Sequence, residues 1–166
     1  MPRQEIIRKA KQDKRAGKSA STQAGEFVKD EIDRIRKGKH GARSTKQAIA
    51  IGLSEARRAG VDLPPRKGRT KKATRRSAKY AYEVGQGKRT PKRRPKVSRA
   101  VENVLKKEPR STASRSALSK QGKRAASRRT AASRSAAARK ASHTKGAKVR
   151  SAAAKKAART RTRRRS

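Results

Sequence analysis

Histidines and clustered carboxylates are the side chains best suited to proton transfer or metal binding, and this chain has few of either. His40 and His143 lie about a hundred residues apart, and neither has a close carboxylate neighbour in sequence. Both read as solvated histidines in basic loops. Asp30, Glu31 and Asp33 are close enough together to suggest a cation site, but Arg34, Arg36 and Lys37 follow them on what reads as the same helix. Charge pairing along that helix accounts for them. The absence of cysteine excludes disulfides and thiolate metal sites. No phosphate-cradling loop, dinucleotide fingerprint or zinc-ligand spacing occurs. With no convergent acid, base and nucleophile, the expectation is a protein that is not an enzyme and has no cofactor and no metal.

Lysine and arginine supply the other chemistry, which is the binding of phosphate. The chain carries 53 of them against 11 acidic residues, a net charge of +42. The charge is unevenly placed. Residues 1–60 hold 16 basic and 7 acidic residues, residues 61–108 hold 17 and 4, and residues 109–166 hold 20 and none. Duplex DNA presents one charge per roughly 1.7 Å of axis, so twenty tail charges match roughly 34 Å of it. The candidate contacts fall in three layers. Lys46, Arg57 and Arg58 belong to the N-terminal part. Lys71, Lys72, Arg75, Arg76, Arg93 and Arg94 belong to the middle. Arg128, Arg129, Arg139, Lys140, Lys155, Lys156, Arg163, Arg164 and Arg165 belong to the tail. Tyr80 and Tyr82 could stack on exposed bases; Tyr80 reads as a small-core residue and Tyr82 as the more open one.

The elements that must position these residues are helices. Gln4 to Ala16 carries good helix formers with an Ile6, Ile7, Ala10 stripe, and Gly17 is a stop. Lys18 to Thr22 reads as a connector, followed by a second helix from about Gln23 to Lys37 with Val28, Ile32 and Ile35 in phase beside Phe27. Ser44 with Gln47 forms a capping box that opens a third helix to about Ala59. Its face is Ile49, Gly52, Leu53 and Ala56, and Gly52 would admit a close neighbour. Val61 and Leu63 could fold back before Pro64-Pro65.

Beyond that break, Thr70 is a candidate cap for a helix through Val84, followed by a stiff basic linker from Lys88 to Lys96. Ser98 then opens a short helix to Lys107 with a narrow Val97, Val101, Val104, Leu105 stripe, closed by Pro109. The spacing predicts three regions: a helical module over 1–63, a basic linker with two short helices over 64–108, and a low-complexity tail over 109–166.

Such a tail cannot bury enough apolar surface to offset the entropy of ordering. Leu118 and Val149 are its only large apolar residues. The octapeptide Arg134 to Ala141 returns as Arg150 to Ala157, sixteen residues on. Alanine and arginine favour helix while dense like charge opposes it. The expected fold is therefore mainly α: a small N-terminal helical module, short middle helices, and a tail that is disordered or conditionally helical.

The run His40-Gly41-Ala42-Arg43-Ser44-Thr45-Lys46-Gln47-Ala48-Ile49-Ala50-Ile51-Gly52-Leu53, within Gly25–Gly60, resembles a family of small basic bacterial proteins grouped as a domain of unknown function, DUF6496, often labelled DNA-binding. The resemblance implies a bacterial source and supplies no active site. The Ala/Lys/Arg/Ser tail is similar in composition to bacterial histone H1-like proteins and linker histones. It differs in having no proline after Pro109 and in being richer in arginine, which moves it toward protamine.

These features point to a nonspecific DNA-binding and compacting protein of the histone H1-like, nucleoid-associated kind, cytoplasmic, with double-stranded DNA as partner. The alternatives are an RNA-binding or ribosome-associated protein and a structural protein with an acidic partner. Two helices joined by a Gly-containing turn ahead of Lys46 and Gln47 invite a helix-turn-helix reading. The competing reading is a scaffold or dimerisation module, since self-association would help to bury a thin core. No stretch approaches the roughly twenty apolar residues of a membrane span, and the basic helices lack a broad apolar face for lipid. The N-terminus has no apolar signal run. Glu5 and Asp13 count against a mitochondrial transit peptide.

Overall fold

The structure, a computed structural model, describes residues 4–65, 71–92 and 94–163. The regular elements among them are α1 (Gln4–Arg15), α2 (Ala20–Arg36), α3 (Thr45–Arg58), α4 (Lys72–Gly85), α5 (Pro95–Lys107), a 3-10 turn (Ser111–Ala113), α6 (Arg115–Ser127) and α7 (Ala131–Arg163). The protein is mainly α. It divides into two compact units, Met1–Gln121 and Gly122–Ser166.

The first unit is built around α2. Phe27 faces a cluster of Ala10, Ala24, Ala56 and Val61, edged by Ile6, Ile7, Leu53 and Leu63. One turn further on, Ile32 and Ile35 face Ala42, Ala48 and Ala113, edged by Val28 and Leu118. Six of the ten buried residues in these clusters are alanines, so the helices must lie close together to exclude water. Gly52 makes this feasible: a Cβ there would stand 2.7 Å from the Val28 Cα, so α3 meets the backbone of α2 directly. The buried stripe of α3 is Ala48, Gly52 and Ala56, with Ile49 only half-buried rather than central.

Local signals end and begin these helices as their chemistry dictates. The Ser44 side chain accepts from the Gln47 N–H at 3.2 Å, and Gln47 Oε1 accepts from the Arg43 N–H at 2.8 Å. Gly60 ends α3 with φ +88°, and the Val61 N–H bonds back to the Ala56 carbonyl at 3.1 Å. That closure turns Val61 into the core. Two starts differ from the sequence reading. α2 begins at Ala20, with Ser19 at the N-cap position, because the Gln23 amide bonds the Lys18 carbonyl at 2.8 Å and Lys18 Nζ pairs with Asp13 at 2.6 Å, which fixes the corner early. None of its acidic residues falls in the first turn. α5 begins at Pro95 rather than Ser98, since a first-turn proline lacks only a donor that the helix does not need. Thr70, the expected cap of α4, lies outside the described residues.

The first unit also runs past residue 63. α4 packs on α3, with Ala81 fully buried and the Tyr82 hydroxyl donating to Asp62 Oδ1 at 2.7 Å. After α5 the chain returns to the module. The Gly41 N–H bonds the Leu105 carbonyl at 2.8 Å and the Ala42 N–H bonds the Pro109 carbonyl at 3.2 Å. Arg36 Nε donates to the Ala113 carbonyl at 2.9 Å, and Thr45 Oγ1 to the Thr112 carbonyl at 2.7 Å. Ala113 is completely buried and Leu118 covers the Ile32–Ile35 cluster. The opening of the presumed tail is thus part of the core.

The second unit is helical over 122–127 and 131–163, where the sequence suggested disorder or conditional order. Alanine, lysine and arginine carry the helix propensity. Hydroxyls that could compete with the backbone instead bond back within the helix, Thr160 to the Lys156 carbonyl at 2.9 Å and Ser142 to that of Arg139 at 2.7 Å. The run is broken once, at Gly146 (φ 59°, ψ 165°), which falls between the two copies of the octapeptide. No described helix is long and apolar enough to cross a membrane.

Candidate nucleic-acid interface

α4 presents a basic ridge in the first unit. Its buried side is set by Ala81, so Lys72, Arg75, Arg76 and Lys79, at helical spacing on the other side, are all exposed. Lys71 precedes them at the N-cap position. Beside the ridge lies an open groove of about 620 Å³ lined by Arg76, Lys79, Tyr80, Glu83 and Arg89. The Arg89 guanidinium stands 5.3 Å from the centre of the Tyr80 ring, and the Tyr80 hydroxyl accepts from the Lys92 N–H at 3.0 Å. Glu83 pairs with Lys79 at 3.7 Å and Arg89 at 3.3 Å. Their basic partners are exposed while Glu83 is half-buried, so water screens these pairs only in part.

Neither tyrosine belongs to a core cluster, and Tyr80 is not the small-core residue that the sequence suggested. Tyr82 is tied to the module, and its hydrogen bond to Asp62 pushes the phenol pKa up. Tyr80 is half-buried on the groove side under Arg89 and belongs to neither core cluster. Helical periodicity placed both on α4 but could not say which edge would meet residue 62.

The structure sorts the remaining candidates. Lys46 and Arg58 are exposed at opposite ends of α3. Arg57 is half-buried, its Nε donates to the Leu63 carbonyl at 2.9 Å, and burial lowers its pKa. It fastens the end of α3 through Nε and lines a groove rather than standing on the exposed surface. Arg94 is exposed at the start of α5. Arg128, Arg129, Arg139, Lys140, Lys155, Lys156 and Arg163 are exposed along the second unit. Arg129 also holds Ser133, through its Oγ at 3.2 Å and its carbonyl at 3.3 Å. Arg93, Arg164 and Arg165 lie outside the described residues. α3 is flanked by α2, α4 and the 3-10 turn, and only Lys46, Ala50 and Arg58 of its residues are exposed. A recognition helix needs more free surface than that to enter a groove of DNA.

One constellation escaped the sequence reading. His40 is not a solvated loop residue: its side chain is 10% exposed and its Nε2 lies 3.5 Å from Glu31 Oε2. Glu31 is completely buried, reaches Arg34 at 3.3 Å, and leaves Oε1 without a hydrogen-bond partner. Arg34 also meets Glu55 of α3 at 3.4 Å. The signal was present, since Phe27, Glu31 and Ile35 are four residues apart and share the buried stripe of α2. Burial pushes the Glu31 carboxyl pKa up; His40 and Arg34 oppose this, and Glu55 and Asp30 add to it. Among the described residues no group of three or more His, Asp or Glu is arranged to hold a metal ion.

The sign of the resulting pH dependence follows from that direction. Below the ordinary carboxylate range Glu31 is protonated in both folded and unfolded chains and adds nothing. As pH rises through its raised folded pKa, the folded protein must bury the charge and loses stability. In urea titrations from pH 4 to 8, the stability of the wild type relative to Glu31→Gln is expected to fall as pH rises. A difference that stays constant with pH would show that Glu31 does not titrate in this way.

The fold's central part has a counterpart among known sequences. Residues 11–67 match the family described as "Family of unknown function (DUF6496)". No curated protein and no solved structure matches the chain. The matched segment holds α2, α3 and the fold-back through Leu63, and with them Gly52 and the Glu31, Arg34, His40 and Glu55 cluster. Lys46, Arg57 and Arg58 lie inside it, whereas the α4 ridge and the second unit lie outside.

Proposed function

We propose that this protein binds duplex DNA nonspecifically through its phosphates and compacts it, as a nucleoid-associated protein of histone H1-like type, without catalysing a reaction. The observation that carries this reading is the second unit. Residues 122–166 contain 17 basic and no acidic residues, and every basic side chain described there is exposed. A polyanion relieves the repulsion among so many like charges more effectively than small counter-ions, and contacts of this kind carry no base information. The first unit supports the same partner through the α4 ridge and serves to position the second by self-association or by holding a protein partner.

The decisive test is binding of nuclease-treated, nucleic-acid-free protein to random-sequence duplex DNA across a salt series. Log K against log salt is expected to fall linearly, at about −0.9 per phosphate contacted. A flat response would reject phosphate binding. Competition with structured RNA separates the two nucleic acids, and preference for RNA would reassign the partner. Retention by cellular material after complete nuclease digestion would favour an acidic protein partner instead.

A further inference from the structure

A second groove in the first unit differs in character from the one beside Tyr80. It lies between α3, α4 and the segment Leu63–Pro65, with a volume of about 690 Å³, within the range of small-molecule sites. Leu53, Leu63 and Pro64 give it an apolar floor, while Ser54, Arg57 and Arg75 supply polar groups. Among the described residues no acidic one lines it. Arg57 is half-buried here with a carbonyl as its bonding partner and no paired carboxylate among the described residues. A partly desolvated guanidinium without a counter-charge is a standing demand for an anion. Arg75 belongs both to this groove and to the exposed ridge of Lys72, Arg76 and Lys79. A phosphate chain lying along that ridge therefore passes the mouth of the groove.

Resting on the nucleic-acid reading above, we infer that this groove receives one unpaired nucleotide of a bound strand. The base would lie against Leu53, Leu63 and Pro64, and its phosphate would meet Arg57 and Arg75. A paired base cannot enter without leaving its stack, so the groove would add affinity for single-stranded or locally opened DNA and none for intact duplex. The apolar floor is what separates this site from the rest of the basic surface, which contacts phosphates alone.

The test fills the groove without altering charge. Ala50 lines it and is exposed on α3, so Ala50→Trp adds bulk with little disturbance to the core, and Ala50→Ser serves as a small control. Full-length protein is titrated against equal-length single-stranded and duplex DNA, with thermal melts confirming that each variant is folded. Ala50→Trp is expected to weaken single-strand binding about tenfold and leave duplex binding and Ala50→Ser at wild-type level. Unchanged single-strand binding, or equal loss on both DNAs, would overturn the site while leaving phosphate binding in place. Displacement of the single strand by free mononucleotide, with no need of a strand, would overturn the assignment to a strand. Wild-type protein that ignores both DNAs would instead defeat the nucleic-acid reading itself.

Discussion

Removal of residues 122–166 is expected to leave a folded protein that has lost at least about a hundredfold in affinity for duplex DNA at 0.1 M salt. Seventeen of the 53 basic residues go, and none of the 11 acidic ones. Each lost phosphate contact flattens the salt dependence by about 0.9, so the fragment should bind more weakly and lose less on adding salt. Some binding persists, because the α4 ridge remains. The position of the cut matters. Ending the chain at residue 108 would remove Ala113 and Leu118 from over Ile32 and Ile35, together with the acceptors of Arg36 and Thr45. The 1–121 fragment should therefore melt cooperatively and the 1–108 fragment should not. Circular dichroism melts and anisotropy titrations on both fragments check this. Full-length affinity in the 1–121 fragment would place the DNA contacts in the first unit instead.

Phe27→Ala should cost about 3–5 kcal/mol of stability in the first unit. Phe27 is the chain's one phenylalanine and is 1% exposed, and its neighbours Ala10, Ala24 and Ala56 are too small to close over the space it leaves. Small domains have only about 5–15 kcal/mol in total, so most of this unit's margin would vanish. Phe27→Leu, which keeps most of the volume, should cost less than about 1.5 kcal/mol. Chemical denaturation followed by helical signal measures both. A loss below about 1 kcal/mol for the alanine variant would mean that the cluster is loosely filled. Binding of duplex DNA should survive in Phe27→Ala far better than in the 1–121 fragment, since the second unit's charges need no core.

What could be read before the fold was known follows a physical division. The apolar phase of Phe27, Val28, Ile32 and Ile35, the Ser44–Gln47 cap and the Val61–Leu63 fold-back are local signals, and each reappears in place. Ser19, Ser21 and Thr22 can all cap a helix, so the start of α2 depended on the corner made by Asp13, Lys18 and Gln23. Glu31 was assigned to surface pairing because its charge outweighed its position on the apolar stripe. Its partner His40 reaches it only by way of the turn after α2. Ala113 and Leu118 were hidden by a low-complexity context, in which an alanine gives no sign of being the residue that closes a core.

The amino-acid sequence by itself determined the helical class and the placement of charge, because propensity and net charge accumulate residue by residue whatever the packing. Only the tertiary structure decided that residues 109–118 complete the first unit, that Arg57 is an internal fastening, and that Tyr80 rather than Tyr82 lines the basic groove. Those outcomes depend on contacts that span from 6 residues of chain, at Arg57 and Leu63, to 77, at Arg36 and Ala113, and an alanine-rich sequence offers many nearly equivalent faces until close approach at a residue such as Gly52 selects one.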